Sequence, residues 1–254
     1  MQLKENYRYY TKALSSEVCL EIIEKGQYKI FKEKNLGKET FAYTGGNREK
    51  QSNLNLKPLN EKSIGNLIKE GDNPNNYYIR DSEVAWFNDK EIYDLIIPYV
   101  KEANKISGWN YEILDFESVQ FTVYHSPGGF YGWHQDGGSD INFSYRKYIQ
   151  GISPPLVKNN RMPEHYTTNI NHVGLVRKIS MTINLSVENS YTGGNLKFDW
   201  GRHSALDNQY HECTEIRPQG SIIVFPSYLY HCVTPVTSGT RYSLVMWALG
   251  RPFK

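Results

Sequence analysis

Three residues of this 254-residue chain have the types and the spacing to bind one metal ion. His134 and Asp136 are two positions apart, and residues i and i+2 of an extended strand project to the same face of a sheet. His231 lies between two β-prone runs, so a distant strand can supply a third ligand. Two imidazoles and one carboxylate on one side of a metal leave the opposite positions free, which is the arrangement that Fe(II)-dependent O₂ chemistry uses.

A second pair of residues could bind a carboxylate. Arg241 and Ser243 share one face of the β-prone run from Arg241 to Trp247, ten residues beyond His231. A guanidinium beside a hydroxyl can hold a carboxylate in a pocket of low polarity. Taken alone, Arg241 is also explained by a surface ion pair, and a His-x-Asp pair also occurs by chance. Together, the two patterns predict a metal beside an anion-binding site.

Two helices are predicted before these residues. Ser15 or Ser16 can cap the first, with Glu17 in its first turn. Asn88 or Asp89 can cap a second, in which apolar residues recur at three- and four-residue intervals until about position 108. A proline at position 98 lies inside that pattern, and we expect it to kink or shorten the helix.

After residue 118 the period of the hydrophobic pattern changes towards two, and Gly and Pro separate the runs. Short strands without intervening helical periodicity favour an antiparallel barrel or jelly roll, with the two helices packed on one face. The predicted strands are Val119–Tyr124, Ser180–Ser186, Asn195–Trp200, Ser221–Phe225 and Tyr242–Leu249.

The chain is predicted to form one domain of residues 1–254. Residues 1–117 would form a mixed helical support region and residues 118–250 the β core. Residues 137–177, rich in Pro, Asn and Tyr, would form a long lid-like insertion. The Gly- and Asn-rich stretch 41–57 is predicted to be a loop.

Composition excludes several classes of protein. A net charge of +2 without a basic block disfavours nucleic acid as a partner. Cys19, Cys213 and Cys232 are odd in number and lack CxxC spacing, which indicates a reducing compartment and predicts a cytoplasmic location. We expect no secretory signal at the N-terminus and no membrane span, because no apolar run approaches the length that either requires.

The second half of the chain resembles the prolyl 4-hydroxylase-like branch of the 2-oxoglutarate/Fe(II) dioxygenases, which includes the bacterial PKHD-type hydroxylases. The resemblance spans roughly residues 80 to 250, and the order and spacing of its motifs are far more specific than the His-x-Asp pair. The motifs that carry it are Gln120–Tyr124, Tyr131–Asp136, Arg177–Ser180, Tyr191–Leu196, Gly220–Pro226 and His231–Trp247.

The resemblance implies a double-stranded β-helix, a jelly-roll core with supporting N-terminal helices. His134, Asp136 and His231 match the iron ligands, and Arg241 matches the residue that pairs with the distal carboxylate of 2-oxoglutarate. Tyr124 matches a tyrosine that hydrogen-bonds this co-substrate. Further residues that match positions lining the pocket are Ser243, Asn184, Leu196 and Trp247.

The implied cofactors are Fe(II), 2-oxoglutarate as co-substrate and O₂, with ascorbate as a reductant. The implied reaction hydroxylates a C–H bond, with a peptidyl proline or another residue of a protein or peptide as the first expectation and a free amino acid or small metabolite as the alternative. The insertion at 137–177 is longer than in compact members of the family, and Asn195 replaces an acidic residue after Gly193–Gly194. The substrate is therefore not inherited with the fold.

Two other classes of protein stay open at this stage. One is a jelly roll that binds a metal and a ligand or partner without oxidation. The other is a zinc hydrolase, because zinc accepts the same ligands. A hydrolase has no need of a carboxylate anchor at Arg241, which disfavours it. A second metal site at His203, Asp207, His211 and Cys213 is disfavoured because their spacing is loose. The oligomeric state is not predicted.

Overall fold

The computed structural model describes residues 5–38, 40–42, 57–58, 77–138, 143–156, 165–199 and 210–253. The helices in those ranges are α1 (Ser16–Asn35) and α2 (Lys90–Ile106), with short 3₁₀ turns at Ile170–His172 and Thr214–Ile216. The strands are β1 (Arg8–Tyr10), β2 (Lys57–Pro58), β3 (Tyr77–Tyr78), β4 (Arg80–Asp81), β5 (Glu83–Phe87), β6 (Asp115–Phe116), β7 (Val119–His125), β8 (Phe130–His134), β9 (Arg146–Lys147), β10 (Tyr166–Thr167), β11 (Val176–Asn184), β12 (Tyr191–Gly193), β13 (Leu196–Asp199), β14 (Tyr210–Glu212), β15 (Ile222–Pro226), β16 (Tyr230–Val233) and β17 (Val236–Gly250).

Two antiparallel sheets form the core, as a jelly roll requires. The larger sheet has the order β1-β15-β11-β17-β7-β5, and β6 and β12 also pair with the long strand β17. The smaller sheet has the order β14-β13-β16-β8-β4. The prediction of a mainly β jelly roll with supporting helices is therefore confirmed. All five predicted strands are present with shifted ends, except that position 200 lies outside the described residues.

Strands from before residue 118 also take part in both sheets. β5 lies at the edge of the larger sheet beside β7, and β4 lies at the edge of the smaller sheet beside β8. The insertion at 137–177 contains the parallel pair β9 and β10. Most of the loop predicted at 41–57 lies outside the described residues.

Helix α1 begins where the sequence predicts. Of the two candidate caps, Ser15 is the one used, and the Val18 N–H donates to its Oγ at 3.3 Å. Glu17 lies in the first turn, and Lys32 and Lys34 lie in the last, where each charge stabilises the helix dipole. Neither described helix combines the length and the apolar character that a membrane crossing needs.

Helix α2 decides one of the two outcomes expected of the proline at position 98. Its N-cap is Asp89, as predicted, but the helix continues through Pro98 to Ile106 and is not shortened. Pro98 and Asp94, whose carbonyl loses its N–H partner, both lie on the exposed face of the helix. Water can therefore bind the freed carbonyl there, so the helix tolerates the proline.

The two faces of the larger sheet have different tasks. Alternate residues such as Phe121, Met181, Leu244 and Met246 point into an apolar core shared with α1 and α2. The residues between them on the same strands point towards the smaller sheet. The helices therefore cover one face of the larger sheet, and the opposite face is free to line a polar pocket.

The contact between α1 and the larger sheet depends on Gly26, which is buried in the helix. A Cβ added there would lie 2.4 Å from the ring of Phe121, whose side chain is completely buried. We expect Gly26→Ala to lower the free energy of unfolding by about 1–3 kcal/mol despite the better helix propensity of alanine, because the overlap outweighs that gain.

Chemical denaturation followed by circular dichroism measures this effect. Glu24→Ala on the exposed face of the same helix is the matched control, for which we expect a small change. A Gly26→Ala variant as stable as the parent protein would contradict this packing.

Candidate active site

Strand pairing brings the two histidines of the predicted metal site together. β8 and β16 are antiparallel neighbours, and His231 lies directly opposite His134 in their register. Their imidazole centroids are 4.2 Å apart. Asp136 follows β8, and its N–H donates to the carbonyl of Ser227 at 3.1 Å, which fixes the chain where the carboxylate turns towards the imidazoles.

The three side chains are close enough to share one ion. His134 Nε2 lies 3.5 Å from Asp136 Oδ1, and His231 Nε2 lies 3.5 Å from Oδ2 of the same carboxylate. Ligand atoms about 2.1 Å from one metal and at right angles to one another are about 3 Å apart, so a small adjustment completes the site. Among the described residues this is the cluster of three potential ligands that lies within 4.8 Å. His203 and Asp207 lie outside those residues.

Each imidazole is oriented by a backbone carbonyl. His134 Nδ1 lies 2.7 Å from the Gly132 carbonyl oxygen, and His231 Nδ1 lies 2.8 Å from the Leu229 carbonyl oxygen. A carbonyl can only accept, so both Nδ1 atoms donate, and in the neutral rings both Nε2 lone pairs face the aspartate. Second partners of this kind fix ring orientation at metal sites.

Electrostatics favour the protonation states that a metal requires. Burial and the neighbouring His134 together lower the pKa of His231 to about 4, against the opposing effect of Asp136, so His231 is neutral at pH 7. Burial acts to raise the pKa of Asp136, but the two imidazoles and Arg177 together hold it below its usual range. A neutral imidazole beside an ionised carboxylate is ready to bind a divalent cation.

Arg177 stabilises this edge of the site. Its guanidinium makes two hydrogen bonds of 2.6 Å to the carboxylate of Glu117 and donates to the Asp136 carbonyl at 3.3 Å. It also lies 3.9 Å from the ring of Trp247. The positive charge of Arg177 is thus neutralised by Glu117, and its role is to hold the chain at Asp136.

Arg241 is in the opposite electrostatic situation. It is 1% exposed on β17, and its polar partner is the Ser243 hydroxyl, 3.4 Å from Nη1. Its Nε is buried without a hydrogen-bond partner, and no carboxylate among the described residues pairs with it. The indole N–H of Trp247 is also buried without a partner. A buried cation without a counter-ion is costly, so this end of the pocket is suited to an anionic ligand.

The triad and Arg241 line one pocket, which encloses about 440 Å³ with its open mouth included. Its walls contain every sequence-predicted site residue except Asn184. The predicted residues that line it are His134, Asp136, His231, Arg241, Tyr124, Ser243, Leu196 and Trp247. Tyr124 lies opposite Arg241 in the β7–β17 register, with its ring centroid 5.4 Å from the guanidinium carbon.

The expectation that Asn184 lines the pocket is corrected. Its side chain is completely buried, and Nδ2 donates to the carbonyls of Arg217 at 2.7 Å and Ser186 at 3.1 Å. Its Oδ1 accepts from the Ser186 N–H. Asn184 is the last residue of β11, and the hydrogen bonds of its side-chain amide stabilise the turn that follows.

The pocket also contains polar residues to which the sequence assigns no role. Gln120 and Thr182 come from alternating strands of the larger sheet, and Arg80 and Tyr131 come from the smaller one. The alternation Gln120-Thr122-Tyr124 on β7 is a usable signal, because it marks a polar face. Arg80 leaves no such signal, since β4 is two residues long.

The donor set fits Fe(II), and the orphaned donors fit 2-oxoglutarate. Two neutral imidazoles and a carboxylate are the ligands of the facial triad, which leaves other positions of the metal open. The unpartnered Nε of Arg241 and Nε1 of Trp247 offer hydrogen bonds to an anion with no described competitor.

The profile of the 2OG-Fe(II) oxygenase superfamily matches residues 119–249, half of the chain. The chain belongs to this superfamily. Its members use Fe(II), 2-oxoglutarate and O₂, the cofactors that the sequence predicts. The matched range contains the triad and Arg241, so the predicted resemblance is confirmed.

Known relatives support the same branch of the superfamily. A PKHD-type hydroxylase of Synechococcus sp. is 31% identical over 122 residues, 48% of this chain and 37% of that protein. The PKHD-type hydroxylase YbiX of Escherichia coli is 32% identical over 108 residues, 38% of this chain and 43% of that protein. The matches therefore span less than half the length of these relatives.

Solved structures show the same oxygenase fold at low identity. A viral collagen prolyl hydroxylase from Paramecium bursaria Chlorella virus-1 superposes with a TM-score of 0.52 at 18% identity and covers 97% of both chains. A Pseudomonas putida prolyl-4-hydroxylase gives 0.51 at 16% identity, covering 97% of this chain and 93% of that one. The similarity extends over the N-terminal region, which the family profile does not reach.

The triad generates a direct prediction about metal binding. The purified protein should bind one Mn(II), a stable substitute for Fe(II), and Asp136→Ala and His231→Ala should each weaken that binding by at least about 100-fold, because each removes a ligand. Electron paramagnetic resonance of free Mn(II) measures the affinity.

The matched control is His125→Ala. His125 is partly exposed and pairs with Glu83 at 3.0 Å, away from the pocket, so its loss should leave the Mn(II) affinity unchanged. Equal affinity in the Asp136→Ala variant would show that the triad does not bind the metal.

Proposed function

We propose that this protein is an Fe(II)- and 2-oxoglutarate-dependent dioxygenase that hydroxylates a C–H bond. The observation that carries the proposal is a buried, unpaired Arg241 in the same pocket as a His/Asp/His cluster. A metal site alone suits several chemistries. A metal site facing a carboxylate anchor suits a co-substrate that is a keto acid at one end and a carboxylate at the other.

The predicted site residues in the pocket then have defined roles. His134, Asp136 and His231 would bind the iron, and Arg241 with Ser243 would bind the distal carboxylate of 2-oxoglutarate. When bound, Fe(II) supplies an oxidation in which 2-oxoglutarate and O₂ yield succinate, CO₂ and one oxygen atom inserted into a substrate C–H bond. Ascorbate is proposed only as the reductant that keeps the iron ferrous.

The remaining walls position the co-substrate and exclude water. Tyr124 lies beside Arg241, where its hydroxyl can hydrogen-bond the same carboxylate. Leu196, Phe225, Val233 and Val245 give the pocket apolar sides. Charged hydrogen bonds are stronger in such a site than in water, because few solvent molecules compete for the donors.

For the prime substrate, a peptidyl proline or another residue of a protein or peptide is the first proposal. The support is the likeness to PKHD-type hydroxylases and to the fold of two prolyl hydroxylases. A free amino acid or another small metabolite is the alternative.

We also propose that the chain is a single domain and that it works in the cytoplasm. The cytoplasmic location is consistent with its three free, buried cysteines.

The two competing functions are distinguished from an oxygenase in different ways. A zinc hydrolase would use the triad but gives no reason for a buried cation without a counter-ion. A jelly roll that binds a metal and a ligand without oxidation would use both the triad and Arg241, and the formation of succinate distinguishes an oxygenase from it.

Succinate formation tests the proposal. Protein reconstituted with Fe(II), 2-oxoglutarate, ascorbate and O₂ should form succinate slowly without a prime substrate, and Asp136→Ala should abolish this. Arg241→Ala should raise the KM for 2-oxoglutarate by about 30-fold or more, because it removes a buried charged hydrogen bond.

Arg251→Ala is the control for the loss of an arginine from the same end of the chain. Arg251 is exposed and pairs with Glu112, so the KM should not change. If the protein neither forms succinate nor binds the inert analogue N-oxalylglycine in the presence of Mn(II), the proposal is wrong.

Gly194 offers a second test of the anchor. It has φ +62°, and an added Cβ would lie 2.9 Å from Cδ of Arg241. Gly194→Ala should therefore displace the guanidinium and weaken N-oxalylglycine binding by about tenfold or more, while Mn(II) affinity stays unchanged.

Gly37→Ala is the matched control. Gly37 has φ +69° but nothing within 4 Å of the added atom, so it reproduces the backbone strain without the contact. Isothermal titration calorimetry measures both ligands, and equal losses in the two variants would refute the positional argument.

A further inference from the structure

A second arginine, Arg80, lines the pocket from the smaller sheet. It lies on β4, opposite Tyr131 of β8, and is 8% exposed. Its Nε donates to Ser82 Oγ at 2.9 Å and its Nη2 donates to Gln120 Oε1 at 2.8 Å. Both partners are neutral, and no carboxylate among the described residues pairs with it. Arg80 is therefore a second nearly buried cation with no counter-ion in the described structure.

Arg80 is separated from the metal site by one aromatic ring. Its guanidinium carbon lies 4.4 Å from the ring centroid of Tyr131, and that ring stacks on His134 with centroids 3.4 Å apart. Arg241 reaches the same pocket from β17 of the larger sheet. The two guanidinium groups thus enter from different sheets.

The charges of the loaded site show why Arg80 is surplus. In the proposed function, the two positive charges of Fe(II) are balanced by the two carboxylates of 2-oxoglutarate. The single positive charges of Arg241 and Arg177 are equal in number to the negative charges of Asp136 and Glu117, of which Glu117 pairs directly with Arg177, so the net charge of these groups is zero. Arg80, which is 8% exposed, is left with one uncompensated positive charge, and burying such a charge is costly unless another anion enters.

Unused donors accompany this charge. Thr122 Oγ1 also donates to Gln120 Oε1, at 3.2 Å, so the amide oxygen of Gln120 faces Arg80 and its NH₂ group faces away. Neither that NH₂ group nor Nη1 of Arg80 has a partner among the described residues. A carboxylate accepts such a pair of donors well, because it has two oxygens with free lone pairs.

We propose that Arg80, assisted by Gln120, binds a carboxylate of the prime substrate, so that the substrate is an acid rather than a neutral chain segment. This inference rests on the proposed function. The carboxylate can come from a free amino acid or small organic acid, or from a peptide that carries it at its C-terminus or on a side chain. Arg80 would place the substrate beside the iron, and Arg241 would place the co-substrate.

A purely structural role for Arg80 predicts a different outcome. Through Gln120 on β7, Arg80 also links the smaller sheet to the larger one. If that link were its whole purpose, replacing Arg80 would lower stability without changing which compounds bind. Substrate selection therefore distinguishes the two roles.

The experiment compares acids with their amides. The probes are free L-amino acids and short proline-containing peptides, each as the carboxylic acid and as the C-terminal amide. Binding is measured as the shift in Tm of protein saturated with Mn(II) and N-oxalylglycine, and turnover as succinate formed above the uncoupled rate. We expect at least one acid to bind and to stimulate turnover while its amide does neither. Comparison of the free amino acids with the peptides identifies the source of the carboxylate.

Two variants of Gln120 test the charge of Arg80. Gln120→Glu places a carboxylate beside the guanidinium and should raise the KM of the acid by about tenfold or more, because the internal carboxylate competes with the substrate. Gln120→Met removes the amide without adding charge and should raise the KM of the acid less.

Two variants of Arg80 test the cation itself. Arg80→Gln should abolish the preference for acids, and Arg80→Lys should restore part of that preference, whereas N-oxalylglycine affinity should change by less than about twofold in all four variants of Arg80 and Gln120.

Amides that bind as well as acids, an Arg80→Gln variant that keeps the preference, or no binding by any acid would each overturn the inference. If Arg80→Gln does not fold, as judged by circular dichroism, the Gln120 pair decides. A parent protein that neither forms succinate nor binds N-oxalylglycine would instead mean that the proposed function itself is wrong, so the two failures are distinguishable.

Discussion

The buried guanidinium of Arg241 is the constraint on which the pocket depends. It lies on β17, which pairs with β11 on one side and with β7 on the other, so its position is set by the centre of the larger sheet. Gly194 leaves the space that the arginine side chain occupies. Burying an unpaired cation costs free energy that a neutral side chain would not, and that cost is compensated only when an anion binds. Function therefore explains a residue that stability alone does not.

The metal site depends on register in the same way. His134 and His231 are far apart in sequence and meet because they are direct partners in the β8–β16 pair. A slip of one residue would turn one imidazole to the other face of the sheet and destroy the site. The carbonyls of Gly132 and Leu229 then fix the rings within that register. The backbone thus determines both where the ligands lie and which nitrogen of each ring is free.

Much of this arrangement could be predicted because strand alternation is visible in the sequence. The spacing His134-x-Asp136 and the face shared by Arg241 and Ser243 indicate which side chains point together, and the structure places all four in one pocket. Asn184 shows the limit of that signal. Alternation indicates a face of the sheet but not where a strand ends. At the end of β11, the side-chain amide of Asn184 donates to backbone carbonyls outside the strand and does not reach the pocket.

Arg80 could not be assigned from the sequence for a related reason. It lies on a two-residue strand, so no periodicity marks its direction, and its partners Gln120 and Tyr131 are tertiary neighbours from two different sheets. The two arginines of the pocket therefore differ in how strongly the fold fixes them. Arg241 lies in the middle of the larger sheet, where a general co-substrate requires a constant geometry. Arg80 lies at the edge of the smaller sheet, where a change of strand or side chain would alter substrate selection and leave the metal ligands in place.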